Sequence, residues 1–353
     1  MTGALESVRA ELQHAVAGRV FPAAVAEVGD HRIPIWREAF GALTFAHTSH
    51  IGDDTIFDLA SLTKPLATTS LLLESIGTGR LSLADQVRSF FEEWRGRDRD
   101  VVTVQDLLEH ASGLPPRLVD RSPEGRREFE HEICALQLEY LPRSKSLYSD
   151  LGFILLGFLV EDREDSSLDG QFARIVGRVT GELGFKPPRE FRARVAPTAP
   201  EADDRRHGRL LVGEVHDDYA AALGGAAGHA GLFGSARAVG RFARAMLLAA
   251  RGAASQPEPF TPELVRLATS RSSVPMSSRA LGWDTMLPTS SCGVAMSSAA
   301  FGHVGFTGTS LWIDPVRDRY FVLLTNRAYD GGTLEEMRDV RRAFHDTAAM
   351  VRV

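Results

Sequence analysis

A chain of 353 residues, 44% hydrophobic and 24% charged, is long and apolar enough to bury two lobes or one large α/β body, which excludes disorder. Its formal charge of −6 lacks the basic excess that nucleic acid or an anionic membrane surface demands. Of its 40 basic residues only Lys64, Lys145 and Lys186 are lysines, so each lysine marks a place where arginine was not used.

Residues 1–18 carry Glu6, Arg9, Glu11 and His14 among the apolar positions and contain no secretory h-region, so a cytoplasmic protein is expected. No run resembles a membrane span. Cys134 and Cys292 are far apart and lack C-x-x-C spacing, which predicts buried, inert thiols rather than a disulfide scaffold or a zinc knuckle.

Leu5, Val8, Leu12 and Val16 recur at helical spacing and open the chain with an amphipathic helix. The apolar runs 22–28 and 33–40, split by Gly29 and Asp30, read as an antiparallel hairpin. Residues 66–76 are apolar apart from Glu74 and stop at Gly77 and Gly79, the pattern of a buried helix. Pro65 has no N–H to donate, so that helix must begin around 61–64. From about 80 to 225, helical patterns such as 104–108 and 153–161 alternate with charged, Pro-containing connections such as 117–127 and 187–206, as in a helical lobe with long loops. A Gly-rich stretch, 224–234, precedes a helix at 236–250 and an irregular Ser/Pro-rich connection to about 279. Strands are expected at 281–287, 301–306, 310–314 and 320–325, the last two as a hairpin, and Met337, Val340, Phe344 and Val351 mark a closing helix. This predicts an α+β class, an antiparallel sheet flanked by terminal helices and interrupted by an all-α lobe.

Three short motifs could do chemistry. Ser61 and Lys64 form S-x-x-K at the start of the buried helix, where one turn puts hydroxyl and amine on the same face. A serine hydroxyl needs a base, and a lysine amine serves only if burial and the helix end depress its pKa, which a guanidinium cannot match. An uncharged Lys64 amine in a dry crevice is therefore expected. The plain alternative is an N-cap serine beside a lysine that reaches solvent.

The second motif is Tyr148-Ser149-Asp150 ahead of an apolar helix. A phenol close to an ammonium can be held as phenolate, or can shuttle a proton between nucleophile and leaving group. Alternatively Tyr148 is an amphipathic residue at a lobe boundary and Asp150 a helix N-cap, although a first-turn side chain can also point into a cleft while its neighbour caps. The third is Gly302-His303-Val304-Gly305, whose glycines imply that something approaches the backbone closely, as a substrate does along a sheet edge. By position the Phe306 N–H joins that of Ser61 in an oxyanion hole; otherwise His303 is a satisfied strand histidine. His216, Asp217 and His229 could line the cleft, although a structural role in a loop is preferred; His110, Ser112 and Gly113 are read as a packing turn, and Asp53, Asp54 and Asp58 as lacking the partners for a metal set.

Ser-x-x-Lys, Tyr-x-Asp and His-x-Gly in this order resemble the serine β-lactamase and penicillin-binding protein superfamily, in particular the subgroup of class C β-lactamases, D-alanyl-D-alanine carboxypeptidases and family VIII carboxylesterases. IFDLASLTKPL at 56–66, LLEHASGLP at 107–115, AGHAGLFGSARAVGRF at 227–242 and FGHVGFTGTSLWIDP at 301–315 carry the likeness over most of the chain. The resemblance implies a β-lactamase/transpeptidase-like fold with a discontinuous sheet domain (1–60 and 226–353), a mainly helical domain (61–225) and an active site in the cleft between them. It implies an acyl-enzyme on Ser61, proton traffic shared by Lys64 and Tyr148, an oxyanion hole from the N–H groups of Ser61 and Phe306, and substrate binding by Asp150, His303 and Gly305. No metal and no cofactor are expected. Asp150 stands where most members carry Asn and His303 where β-lactamases carry Lys, so an anionic substrate is disfavoured and a small neutral ester favoured. The implied partner is a small-molecule ester or amide, with no nucleic acid, no membrane and no stated oligomeric form. The alternatives are a peptidoglycan-fragment amidase, a D-Ala-D-Ala carboxypeptidase, a weak β-lactamase, or an inactive muropeptide-sensing protein.

Overall fold

The structure, a computed structural model, describes residues 2–46, 51–119, 123–252 and 260–351. In chain order, α1 (Thr2–Ala17) leads into the hairpin of β1 (Ala23–Gly29) and β2 (Pro34–Gly41), then β3 (Phe57–Asp58). The helical part follows with α2 (Ser70–Gly77), α3 (Val104–Leu108), α4 (Gly125–Ala135), α5 (Asp150–Glu164), α6 (Leu168–Ile175) and α7 (Gly177–Thr180). After β4 (Gly184–Phe185), α8 (Asp218–Ala222), β5 (Leu232–Gly234), α9 (Ala236–Ala250) and α10 (Pro262–Thr269), the chain returns to the sheet. It does so through β6 (Asp284–Thr285), β7 (Phe301–Val304), β8 (Ser310–Asp314) and β9 (Arg319–Thr325), and closes with α11 (Leu334–Ala348).

The main sheet runs β2-β1-β9-β8-β7-β6, antiparallel throughout, so the two ends of the chain meet at its centre where β1 pairs with β9. Strand periodicity decides which side chain goes to which face. Trp312, Phe321 and Leu323 pack with Val8, Leu12, Met337 and Phe344 of the terminal helices, while Leu311, Ile313, Tyr320 and Val322 point the other way into the core shared with the helical lobe. Both faces are thus buried, as the continuous apolar runs of β8 and β9 require. Among the described residues no helix is long and apolar enough to cross a membrane.

Several expectations need correction. The chain after β3 is not one α-helix: Ala60–Leu62 is a 3₁₀ turn and Lys64–Thr69 a π-helical turn before α2 begins. Pro65 brings no N–H to this stretch, and the Ser70 hydroxyl donates to the Pro65 carbonyl at 3.1 Å. The strand expected at 281–287 contracts to two residues, because Gly282 has φ +71° and packs so closely that a Cβ there would lie 2.0 Å from Thr69 Oγ1. The strand expected at 301–306 ends at Val304, where Gly305 starts the turn to β8. The 251–279 connection contains α10, started by Thr261 as N-cap and Pro262 in the first turn; residues 253–259 lie outside the described residues, as do 120–122 of the 117–127 connection. A second sheet, β3-β5-β4, was not expected, and its two- and three-residue strands hold the segment before Ser61.

The two glycines around His303 do mark close approach, but of protein rather than substrate. A Cβ on Gly302 would sit 2.3 Å from Trp312 Cδ2, and one on Gly305 2.2 Å from Thr309 Oγ1 and 2.6 Å from the Leu59 carbonyl. Gly302→Ala is therefore expected to lower the unfolding free energy by about 1–3 kcal/mol in urea denaturation, the usual cost of overpacking. An unchanged midpoint would show that the strand relaxes freely.

Candidate active site

The turn that carries Ser61 is held by a set of buried hydrogen bonds. Ala60 is a non-glycine residue at φ +47°, a strained conformation immediately ahead of Ser61. Its N–H donates to Asp58 Oδ1 at 2.8 Å, Thr63 Oγ1 donates to its carbonyl at 2.7 Å, and the Leu232 N–H of β5 donates to Thr63 Oγ1 at 3.0 Å. Asp58 is itself buried and accepts the His216 N–H at 2.7 Å. The turn after β7 is latched to the same segment: Thr307 Oγ1 donates to the Asp58 carbonyl at 2.8 Å and Thr309 Oγ1 to the Leu59 carbonyl at 3.1 Å. These latches place Ser61 and Phe306 on one wall of a cleft of about 780 Å³. Neither the Ser61 N–H nor the Phe306 N–H donates to a protein group among the described residues.

Lys64 is fully buried, and its Nζ donates to Ser61 Oγ at 3.0 Å and to the His229 carbonyl at 3.1 Å. Asp150 Oδ1 lies 2.8 Å from the same nitrogen, an ion pair off the line of a well-aligned hydrogen bond. Here the expectation of an uncharged amine is overturned. Burial pulls the Lys64 pKa down, but Asp150 first and Tyr148 second outweigh it, and the amine is held above its ordinary value. The partner responsible was out of sight in the motif, because Asp150 comes from the first turn of α5. Ser149, not Asp150, caps that helix by accepting the Gly152 N–H, which leaves the Asp150 carboxylate free to face the cleft.

Asp150 is shared. Arg117 approaches its other oxygen at 3.5 Å, pairs with Asp217 at 3.1 Å and also with Asp218. Asp217 in turn meets His229 Nε2 at 2.7 Å, and the His229 ring and the Arg117 guanidinium hold its carboxyl below the usual carboxylate range despite burial. The loop residues His216, Asp217 and His229 thus belong to the site rather than to a distant packing role: the first two line the cleft and the third contacts Lys64.

Tyr148 is half-buried, with Lys64 Nζ 4.8 Å and Arg279 Cζ 5.1 Å from its ring centroid. His110 and His303 flank it, with ring centroids at 4.6 and 5.9 Å. His110 accepts the Ser149 N–H through Nδ1 at 3.1 Å, so its turn fixes the Tyr148-Ser149 backbone and does more than pack. His303 Nδ1 donates to the Val304 carbonyl at 2.8 Å, leaving a buried Nε2 with no protein partner. Burial, reinforced by Arg279 and Lys64, pushes both histidines well below their ordinary pKa, and both are neutral. Gly305 lines the cleft through its backbone. Arg117, Arg279 and Arg341 were missed in the sequence, where nothing distinguishes them from the chain's many other arginines.

An antiparallel sheet packed by the terminal helices, together with a set of further helices and a cleft lined by Ser61 of the Ser-x-x-Lys pair, defines the class of proteins built on the β-lactamase/transpeptidase fold. The chain belongs to the β-lactamase family, whose model matches residues 8–345, and so to a family of hydrolases. A protein from Escherichia coli (strain K12) named “Putative D-alanyl-D-alanine carboxypeptidase” is 29% identical over 346 residues, covering 86% of this chain and 77% of that protein. A protein of the same name from Salmonella gallinarum is 29% identical over 326 residues, covering 82% and 73%. Among solved structures, a β-lactamase/D-alanine carboxypeptidase from Pseudomonas syringae superposes with a TM-score of 0.78 at 18% identity, covering 97% of this chain and 98% of that one. EstCE1, a hydrolase with promiscuous acyltransferase activity, superposes at 0.76 with 19% identity, covering 96% and 98%. At these identities the superpositions establish the fold.

Replacing Asp150 by Asn removes the largest influence raising the Lys64 pKa. In the parent the Lys64 ζ signal, one of only three in [¹⁵N]lysine-labelled protein, is expected to titrate above its ordinary 10.5, and in Asp150→Asn at a lower pH. The sign for stability follows: a raised lysine pKa stabilises the fold below the unfolded value and the gain is lost as pH rises through the folded one. Identical titrations in the two proteins would remove Asp150 as the cause.

Proposed function

We propose that the protein is a serine hydrolase that forms an acyl-enzyme on Ser61 and releases the acyl group to water, with small carboxylic esters as its main substrates. The observation that carries this reading is the Ser61 hydroxyl, 3.0 Å from a buried amine in a cleft that Ser61 and Phe306 both line, their backbone N–H groups having no protein partner among the described residues. Ser61 Oγ attacks the ester carbonyl carbon, and Tyr148 relays the proton: its oxygen takes that of the Ser61 hydroxyl while its own hydroxyl proton goes to the departing alkoxide, so that the phenol is regenerated; water then repeats the sequence on the acyl-enzyme. A charged Lys64 cannot accept a proton. Its part is to donate to Ser61 Oγ and to offset the negative charge that develops there. The Ser61 and Phe306 N–H groups receive the tetrahedral oxyanion, each such donor contributing roughly 3–4 kcal/mol to the transition state.

Neutral His303 offers no charge to a substrate carboxylate, which favours a neutral ester. Asp150 does not reinforce that preference as the sequence suggested, because its charge is taken up by Lys64 and Arg117. A second reading has its own support. Arg279 is a cleft cation with no carboxylate partner among the described residues, suited to a carboxylate-terminated peptide such as one ending in D-Ala-D-Ala, and the relatives' name points the same way.

Incubation with p-nitrophenyl butyrate is expected to give a burst and a mass adduct on Ser61, and Ser61→Ala to lose about 10³-fold or more in turnover. Hydrolysis unchanged in that variant discards the assignment, and no adduct with any activated ester or penicillin favours a ligand-binding protein. Arg279→Gln should lower kcat/KM for a D-Ala-D-Ala peptide about tenfold relative to the neutral ester. An equal effect on both substrates removes the second reading.

A further inference from the structure

Arg341 is buried, only 6% exposed, on the sheet-facing side of α11, yet it pairs with no carboxylate among the described residues. Burial, and Arg327 close by, pull its pKa down to about 9. An unpaired guanidinium in such a place is expensive. Its hydrogen bonds show where it is used: Nη2 donates to the Gly305 carbonyl at 2.6 Å and to the Thr309 carbonyl at 3.0 Å. Neither carbonyl depends on it, since Gly305 O also accepts the Gly308 N–H at 3.1 Å and Thr309 O the Gly305 N–H at 2.8 Å. The Gly305 carbonyl belongs to the peptide unit whose other end is the Phe306 N–H.

We propose that Arg341 is the positioning residue of the oxyanion hole, fixing and polarising the Gly305–Phe306 peptide through its carbonyl so that the Phe306 N–H is aimed into the cleft as a strengthened donor. This rests on the reading of the Phe306 N–H as an oxyanion donor. A peptide unit is rigid and planar, so anchoring its carbonyl orients the N–H on the opposite edge. A cationic donor on the oxygen draws electron density along the unit, and hydrogen bonds in series strengthen one another. Arg327 completes the clamp on the next peptide, donating to the Phe306 carbonyl from Nε at 3.1 Å and Nη2 at 2.8 Å. The turn is held from both sides by its carbonyls, while the N–H of Phe306, a residue that lines the cleft, donates to no protein group among the described residues.

The test is Arg341→Met on p-nitrophenyl butyrate, with Arg341→Gln, which keeps a neutral donor, as the second variant. Arg341→Met is expected to lose about 10–100-fold in kcat with KM within about twofold, because an oxyanion donor acts on the transition state. Its melting temperature should equal or exceed the parent's, since an unpaired buried charge is removed and both carbonyls keep a backbone donor. Arg341→Gln should fall between the two in kcat, and guanidinium ion at millimolar concentration should restore part of the lost rate in Arg341→Met. The proposal is overturned if Arg341→Met turns over within twofold of the parent, or if rate and melting temperature fall together without guanidinium rescue. Failure of the underlying assignment is distinct: there Ser61→Ala keeps its activity, whereas failure here leaves Ser61-dependent turnover intact in the Arg341 variants.

Discussion

Taking the Lys64 ammonium out of water costs several kcal/mol unless acceptors and opposite charge go with it, and the cleft is arranged around that requirement. Asp150 supplies the charge and is steadied by Arg117; Arg117 is shared with Asp217, Asp217 meets His229, and the His229 carbonyl returns to Lys64. The chain of partners closes on itself. Two glycines make the last contact possible: Gly228 and Gly157 let the 227–229 backbone lie against α5, where a Cβ on Gly228 would be 2.0 Å from the Phe153 carbonyl. Breaking any member therefore leaves an unbalanced charge inside the protein rather than at its surface.

How much of this was legible varies by element for physical reasons. The helix at 236–250 was readable because Ser235 caps it and its apolar face repeats at helical spacing. The β8–β9 hairpin was readable because two apolar runs flank a polar turn. The sheet β3-β5-β4 was not, since two or three residues are too few to display alternation, and α10 was lost because Pro262 was taken as a loop signal although it sits in the first turn of a helix. Ser61, Lys64, Tyr148 and His303 were found by spacing and do gather in the cleft or against it. The protonation of Lys64 was not, because it depends on a carboxylate delivered by a distant segment, and local sequence carries no record of such a neighbour.

The turn that carries Ser61 and the turn after β7 are also bound to one another. Threonine hydroxyls at 307 and 309 reach across to the Asp58 and Leu59 carbonyls, and Gly305 lies flush against the same segment. The consequence is that Ser61 and Phe306 are tied together through the backbone of their two turns. The opposite wall, with Tyr148, Asp150 and Arg117, is held by the loop of charges instead. The first side also uses buried charges, Asp58, Arg327 and Arg341, whereas the ion pairs of the second involve the more exposed Arg117 and Asp218, so salt acts more on the second.

Finally, the scarcity of lysine has a use beyond the reaction. Lys145 is exposed over the Tyr140 ring and Lys186 is 52% exposed beside Asp169, whereas Lys64 is sealed. Reagents that seek primary amines find both of the accessible side chains on the outside of the molecule, so dyes, tethers and resin linkages attach there while the interior amine is spared.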